Sequence, residues 1–157
     1  MTMGSNATEG NWQLSCHADV LKVLAYWQSK CRSRRMPRRA DIDPLELGPF
    51  LPHITLVDVV ADARRFVYRL VGTAEVNLRG NDPTGKAVAD GYFAATAQEA
   101  LDRYQRICTT RAPFYEEDDF QVVDRYISEA NLFLPLSEDG ETVNMVMVFS
   151  INRDLYI

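Results

Sequence analysis

Apolar residues at Val20, Val23, Leu24, Trp27 and Cys31 return every three or four positions between residues 19 and about 33, so they share one stripe of an amphipathic helix. Such a stripe requires an apolar surface to cover. Pro37 ends regular structure, and Asp43-Pro44 predicts an N-cap followed by proline at the first helical position, opening a short turn that closes by Gly48-Pro49. The period then changes. HITLVDVV at 53–60 and FVYRLV at 66–71 are rich in β-branched and aromatic residues and predict two strands. Their short link favours an antiparallel hairpin, and a register symmetric about Ala63 would set Asp58 opposite Tyr68 and Val57 opposite Arg69.

Helical spacing returns at Ala97, Ala100, Leu101, Tyr104, Ile107 and Cys108, with Gln98, Glu99, Asp102, Arg103, Gln105 and Arg106 on the opposite face. Beyond Pro113 lie three further strand segments, 114–123, 126–136 and 142–151, the last two joined around Asp139-Gly140. Two-residue alternation puts Val143, Met145, Met147, Phe149 and Ile151 on one face. The order predicts an α+β domain: a five-stranded antiparallel sheet with helices on one face and an additional N-terminal amphipathic helix.

A chain of 157 residues fits one domain with a real core. The polar, aperiodic opening assigns residues 1–18 to a flexible arm outside the fold and 19–157 to a single domain. With 46% hydrophobic and 25% charged residues, the composition is not that of a disordered chain. No apolar run approaches the roughly 18 residues of a membrane span, and no basic-then-apolar leader opens the chain, which predicts a cytoplasmic protein. The net charge of -5 disfavours nucleic acid and anionic membrane as partners. Three widely spaced cysteines predict reduced thiols.

The segment RLVGTAEVNLRGNDPTGKAVAD, residues 69–90, resembles the part of a PAS domain in which one helical turn ends in glycine, here Gly80, and a second reversal ends in a Gly-Lys pair, here Gly85-Lys86. Glycine just past a helical turn takes the left-handed conformation at no steric cost. Together with MPRRADIDP at 36–44, FLPHITLVDV at 50–59, FVYRLVGT at 66–73 and NDPTGK at 81–86, the chain is similar over about residues 20–150 to the small bacterial PAS-like proteins grouped as PAS_5. The resemblance implies a PAS fold and a sensory or regulatory role in signal transduction, and carries over no catalytic residue. It leaves the cofactor unassigned: the flavin-type NCRFLQ helix and a suitably placed haem histidine are both missing.

A PAS pocket would lie between the sheet and the flap plus the 97–108 helix. Its candidate liners are Leu56, Asp58, Tyr68, Val76, Leu101, Tyr104, Met145 and Met147, apolar walls with a few polar tips; the same side chains would equally fill an ordinary core. Asp58 could anchor a ligand or stand as a solvated strand carboxylate. Trp27 with Arg34, Arg35, Arg38 and Arg39 forms a candidate partner interface, against the alternative of a solvated basic helix end. Glu116 to Asp119 would alternate faces on an edge strand and block unwanted pairing. His17 and His53 are too far apart in sequence to suggest a metal site.

Two functions follow. One is a stand-alone PAS-like sensory module acting through a protein partner, with or without a small ligand and with a homodimer as one form, since the chain stops a few residues past its last strand with no output domain attached. The other is a small-molecule enzyme of ketosteroid-isomerase type with Asp58 as base and Tyr68 or Tyr104 as hydrogen-bond donor. GxSxG, GxGxxG and GxxxxGK[ST] motifs are missing.

Overall fold

The computed structural model describes residues 2–7, 11–93, 95–122 and 124–152. Its strands are β1 (Thr2–Ala7), β2 (Ile54–Val59), β3 (Phe66–Val71), β4 (Phe114–Val122), β5 (Arg125–Leu136) and β6 (Met145–Asn152). Its helices are α1 (Ala18–Cys31), α2 (Pro44–Leu47), α3 (Thr73–Arg79), α4 (Val88–Gly91) and α5 (Ala97–Thr110). The strands form one antiparallel sheet in the order β1-β4-β5-β6-β2-β3. The five strands expected from sequence are therefore all present and antiparallel, with helices packed on them. No described helix is long and apolar enough to cross a membrane.

Within the segment expected to be a flexible arm, residues 2–7 form a sixth strand and residues 11–14 a 3-10 turn, while residues 1 and 8–10 lie outside the described residues. Thr2–Ala7 pairs with β4, and Trp12, in a 3-10 turn at Asn11–Leu14, is buried with its ring stacked on Tyr115 at 4.8 Å. Polar composition hid this because backbone pairing along a strand edge needs no apolar side chains. β4 consequently lies between β1 and β5, so the acidic run is not on an open edge.

The sheet has two covered faces. α5 lies over the inner one: a capping box between Thr96 and Glu99 starts it, and Tyr104 packs against Phe66 and Phe133 at 5.6 and 5.7 Å. The N-terminal elements lie over the outer one. Val20, Val23, Leu24 and Trp27 of α1 are buried, and Trp27 Nε1 donates to Pro135 O at 2.9 Å. Phe50 sits edge-on to Phe149. Trp27 is thus part of the core and not an exposed contact. The basic segment is tied down too: Arg34 donates to Ser137 O and Glu138 O, Arg35 to Thr110 O and Arg39 to Ile42 O. Arginine at a helix end finds backbone carbonyls as readily as anions, which composition alone cannot reveal.

The β2–β3 register differs from the symmetric one. Val57 faces Tyr68 and Asp58 faces Val67, while Leu56 pairs with Leu70, so Arg69 is the extra residue of a bulge. One residue of slip moves Asp58 to the opposite face from Tyr68. Asp58 lies 3.8 Å from the exposed Arg69 instead.

Both flap glycines are left-handed, as the resemblance requires. Gly80 caps α3 at φ 82° with its N–H on Val76 O, and Gly85 at φ 89° donates to Tyr68 O. Tyr68 N in turn donates to Lys86 O, so the flap is laced to the free side of β3.

Candidate functional site

Alternation along three adjacent strands places a polar band on the inner face. Ser150 of β6 is opposite Asn131 of β5, which is opposite Glu116 of β4; one row further, Glu129 is opposite Asp118. All five are buried. Between this band, α3 and α5 lies a cavity of about 60 Å³, bordered also by Thr55, Tyr68, Glu75, Arg79, Arg103 and Tyr104. A second hollow of about 240 Å³, lined by His53, Asn77, Leu78 and Asn152 and more open to solvent, shares Glu75, Glu129 and Ser150 with it. The two glutamates form the partition.

Burying carboxyls is costly unless charge or protons compensate them. Arg103 supplies the charge on one side. Its Nε lies 2.8 Å from Glu116 Oε2, and Nη2 lies 3.0 Å from both Glu116 Oε1 and Asp118 Oδ2. Even so, burial pushes Glu116 up to about 7; Arg103 opposes the rise and the neighbouring Asp118 adds to it. Burial also raises Asp118. Glu129 is held well above the carboxylate range, first by burial and then by Glu75, with which it shares a side-chain hydrogen bond. Burial raises the Tyr104 hydroxyl above the usual phenol range, with Tyr68 adding to it.

Arg79 closes the roof. It donates to Gly91 O at 2.8 Å and to Tyr68 Oη at 3.4 Å, and lies over the Tyr68 and Phe93 rings at 5.0 and 5.4 Å. The flap approaches the sheet so closely that a Cβ on Gly91 would meet Pro83 Cβ at 3.0 Å and Tyr68 Cε2 at 3.2 Å. Such packing fixes the arginine head over the cavity.

The raised carboxyls set a pH dependence. Glu116 and Glu129 have folded-state values above their unfolded 4.5, so the stability they contribute is complete below about pH 4.5 and is lost as pH rises above it, through about 7 for Glu116. Asp62 and Asp139, lowered to about 2 by hydrogen bonds from Arg64 and from the Thr142 and Glu141 amides, act in the opposite sense and only at lower pH. The denaturation midpoint should therefore fall between pH 5 and pH 8, and Glu129→Gln should flatten the fall. A wild-type midpoint constant across that range would refute the raised values.

Of the sequence candidates, the structure brings Tyr68 and Tyr104 together at the cavity. Val76 and Leu101 are partly buried against the core without lining it. Leu56, Asp58, Met145 and Met147 belong to the outer face, where Leu56 pairs with Met147 and Asp58 with Met145. Two-residue alternation does put Met145, Met147 and Phe149 on one face, but that face is the outer one, and Val146, Val148 and Ser150 face the α5 side. Glu75, Arg79, Arg103, Asp118, Glu129 and Asn131 were missed as site residues. A signal existed in the paired polar positions 116/118 and 129/131, each two apart and therefore on one face. Arg103 gave none, since helical spacing groups it with the exposed Gln98, Glu99, Asp102 and Gln105 on the polar face of α5. Among the described residues, no group of three or more His, Cys, Asp or Glu is placed to hold a metal ion.

No curated protein matches the chain. Among solved structures, a variant of the fungal photoreceptor VVD is 13% identical with a TM-score of 0.47, covering 82% of this chain and 92% of that one. An RNA-binding light-oxygen-voltage receptor is 13% identical with a TM-score of 0.44, covering 74% of this chain and 36% of the receptor. A fungal LOV domain photoreceptor is 14% identical with a TM-score of 0.45, covering 85% and 91%. The model of the PAS_5 family, described as a PAS domain, matches residues 16–149, and this span, with the flap and sheet described above, makes the chain a member of that family.

Proposed function

We propose that this PAS domain is a cytoplasmic sensory module whose interior cavity takes a small polar molecule rich in N–H or O–H groups, and that occupancy is passed on through contact with a protein partner. PAS domains are in general sensory modules and not catalysts. The observation that carries the ligand reading is the cavity faced by the buried Glu75, Glu129 and Asp118, because a position filled only to complete a core would be apolar. Arg103 is already committed to Glu116 and Asp118, so the acceptors at the partition are what a ligand donor would meet. At about 10–15 Å³ per water-sized body, 60 Å³ admits a few heavy atoms. Leu21, Leu70 and Tyr126 leave apolar surface for partner contact, and a second copy of the chain is one such partner.

Native mass spectrometry of protein from its own host reads retained ligand and subunit count together. A small mass increment is expected, absent from a Glu129→Leu variant that still unfolds cooperatively. If the protein carries no increment and small amines, amides and polyols leave its melting temperature unchanged, the ligand reading fails. The isomerase alternative is not supported. Asp58 and Tyr68 point to opposite faces of the sheet, so they cannot act on one substrate.

A further inference from the structure

On the outer face, on the other side of the sheet from the polar cavity, a groove of about 430 Å³ runs between the α2 region and the β2–β3 hairpin. Its walls are apolar, among them Ile42, Leu47, Leu56, Leu70 and Met147, and its single charged liner is Arg39. We infer that this groove binds the alkyl chain of a medium-length carboxylate, with the Arg39 guanidinium holding the head group.

Four observations select that chemistry. The volume lies within the range of about 300–1,000 Å³ typical of small-molecule sites, and the polar cavity's does not. Arg39 commits only Nη1, to Ile42 O at 3.2 Å, and makes no ion pair with a described residue, which leaves N–H groups in the planar fork that suits a carboxylate. No acid lines the groove, so a cationic head group would find no counter-charge there while an anionic one does. Leu70, 46% exposed on the rim, is an apolar side chain with one face unpartnered, as the entrance to an alkyl site would have.

Calorimetric titration of the full chain with hexanoate, octanoate and decanoate, each below its micelle concentration, tests the inference. Affinity should rise about fourfold per methylene, the factor for burying one CH₂. Arg39→Gln should weaken octanoate binding at least tenfold and leave octanol binding within twofold. Leu70→Glu, an exposed position that should not disturb folding, should weaken both. Glu129→Gln should change neither, and weakening there would move the ligand to the interior cavity and overturn the assignment. Absence of saturable binding, indifference to Arg39→Gln, or concentration-dependent self-association through the groove in place of carboxylate binding would each overturn it as well.

Discussion

Replacing Gly72 with alanine is expected to destabilise the domain by at least about 3 kcal/mol, the upper end of ordinary overpacking. A Cβ there would lie 2.3 Å from Pro52 O, 2.6 Å from Pro52 C and 2.8 Å from Ile54 O. All three are backbone atoms, and none can rotate away. Gly72 N also donates to Ile54 O at 2.9 Å, so the crossing cannot open without losing that bond. Gly80→Ala is the control: its φ of 82° carries a backbone penalty of about 1 kcal/mol, but no atom lies within 4 Å of the added methyl group. Urea denaturation of the two variants should separate them clearly. Equal losses would mean that the crossing at Gly72 is looser than the structure has it.

The second large effect is expected at Arg103. Arg103→Met keeps most of the side-chain volume but leaves Glu116 and Asp118 buried without their cation, a change worth about 3–5 kcal/mol for a broken buried pair. The loss should depend on pH. With Arg103 gone both carboxyls favour the protonated form still more, so the variant should be least destabilised near pH 5 and most at pH 8. Adding Glu116→Gln should restore part of the stability at pH 8. A pH-independent loss would point to packing and not charge as the role of the arginine. Denaturation at the two pH values, on both variants, distinguishes these outcomes.

What could be read in the chain was what repeats. Val20, Val23, Leu24 and Trp27 mark a helix by spacing alone, and Gly80 and Gly85 mark the flap because few other residues tolerate their backbone angles. The strands from 114 onwards were legible by composition and by Asp139-Gly140, where Gly140 takes φ 84°. Alternation, however, names two faces without saying which meets which layer. Met145 and Met147 were therefore assigned to the cavity although they lie under the N-terminal elements. The register of β2 and β3 depended on a bulge at Arg69, a one-residue feature that leaves no periodic trace. The buried acids were hidden for a different reason. Arg103 precedes Glu116 by 13 residues and Asp118 by 15, Glu75 and Arg79 lie further back still, and only the folded chain shows that they face one another. Charged residues on a helix ordinarily indicate water, and here three of them indicate the interior.

The short helix α3 has a neighbour on each flank. Thr73 borders the outer groove, and Glu75, two residues later, borders the interior cavity. Gly72 holds its start tightly against Pro52 and Ile54. Seven residues thus form a wall shared by two chambers. If both chambers are filled and one guest changes the energy of that wall, the other guest's affinity shifts by a factor that is the same whichever enters first.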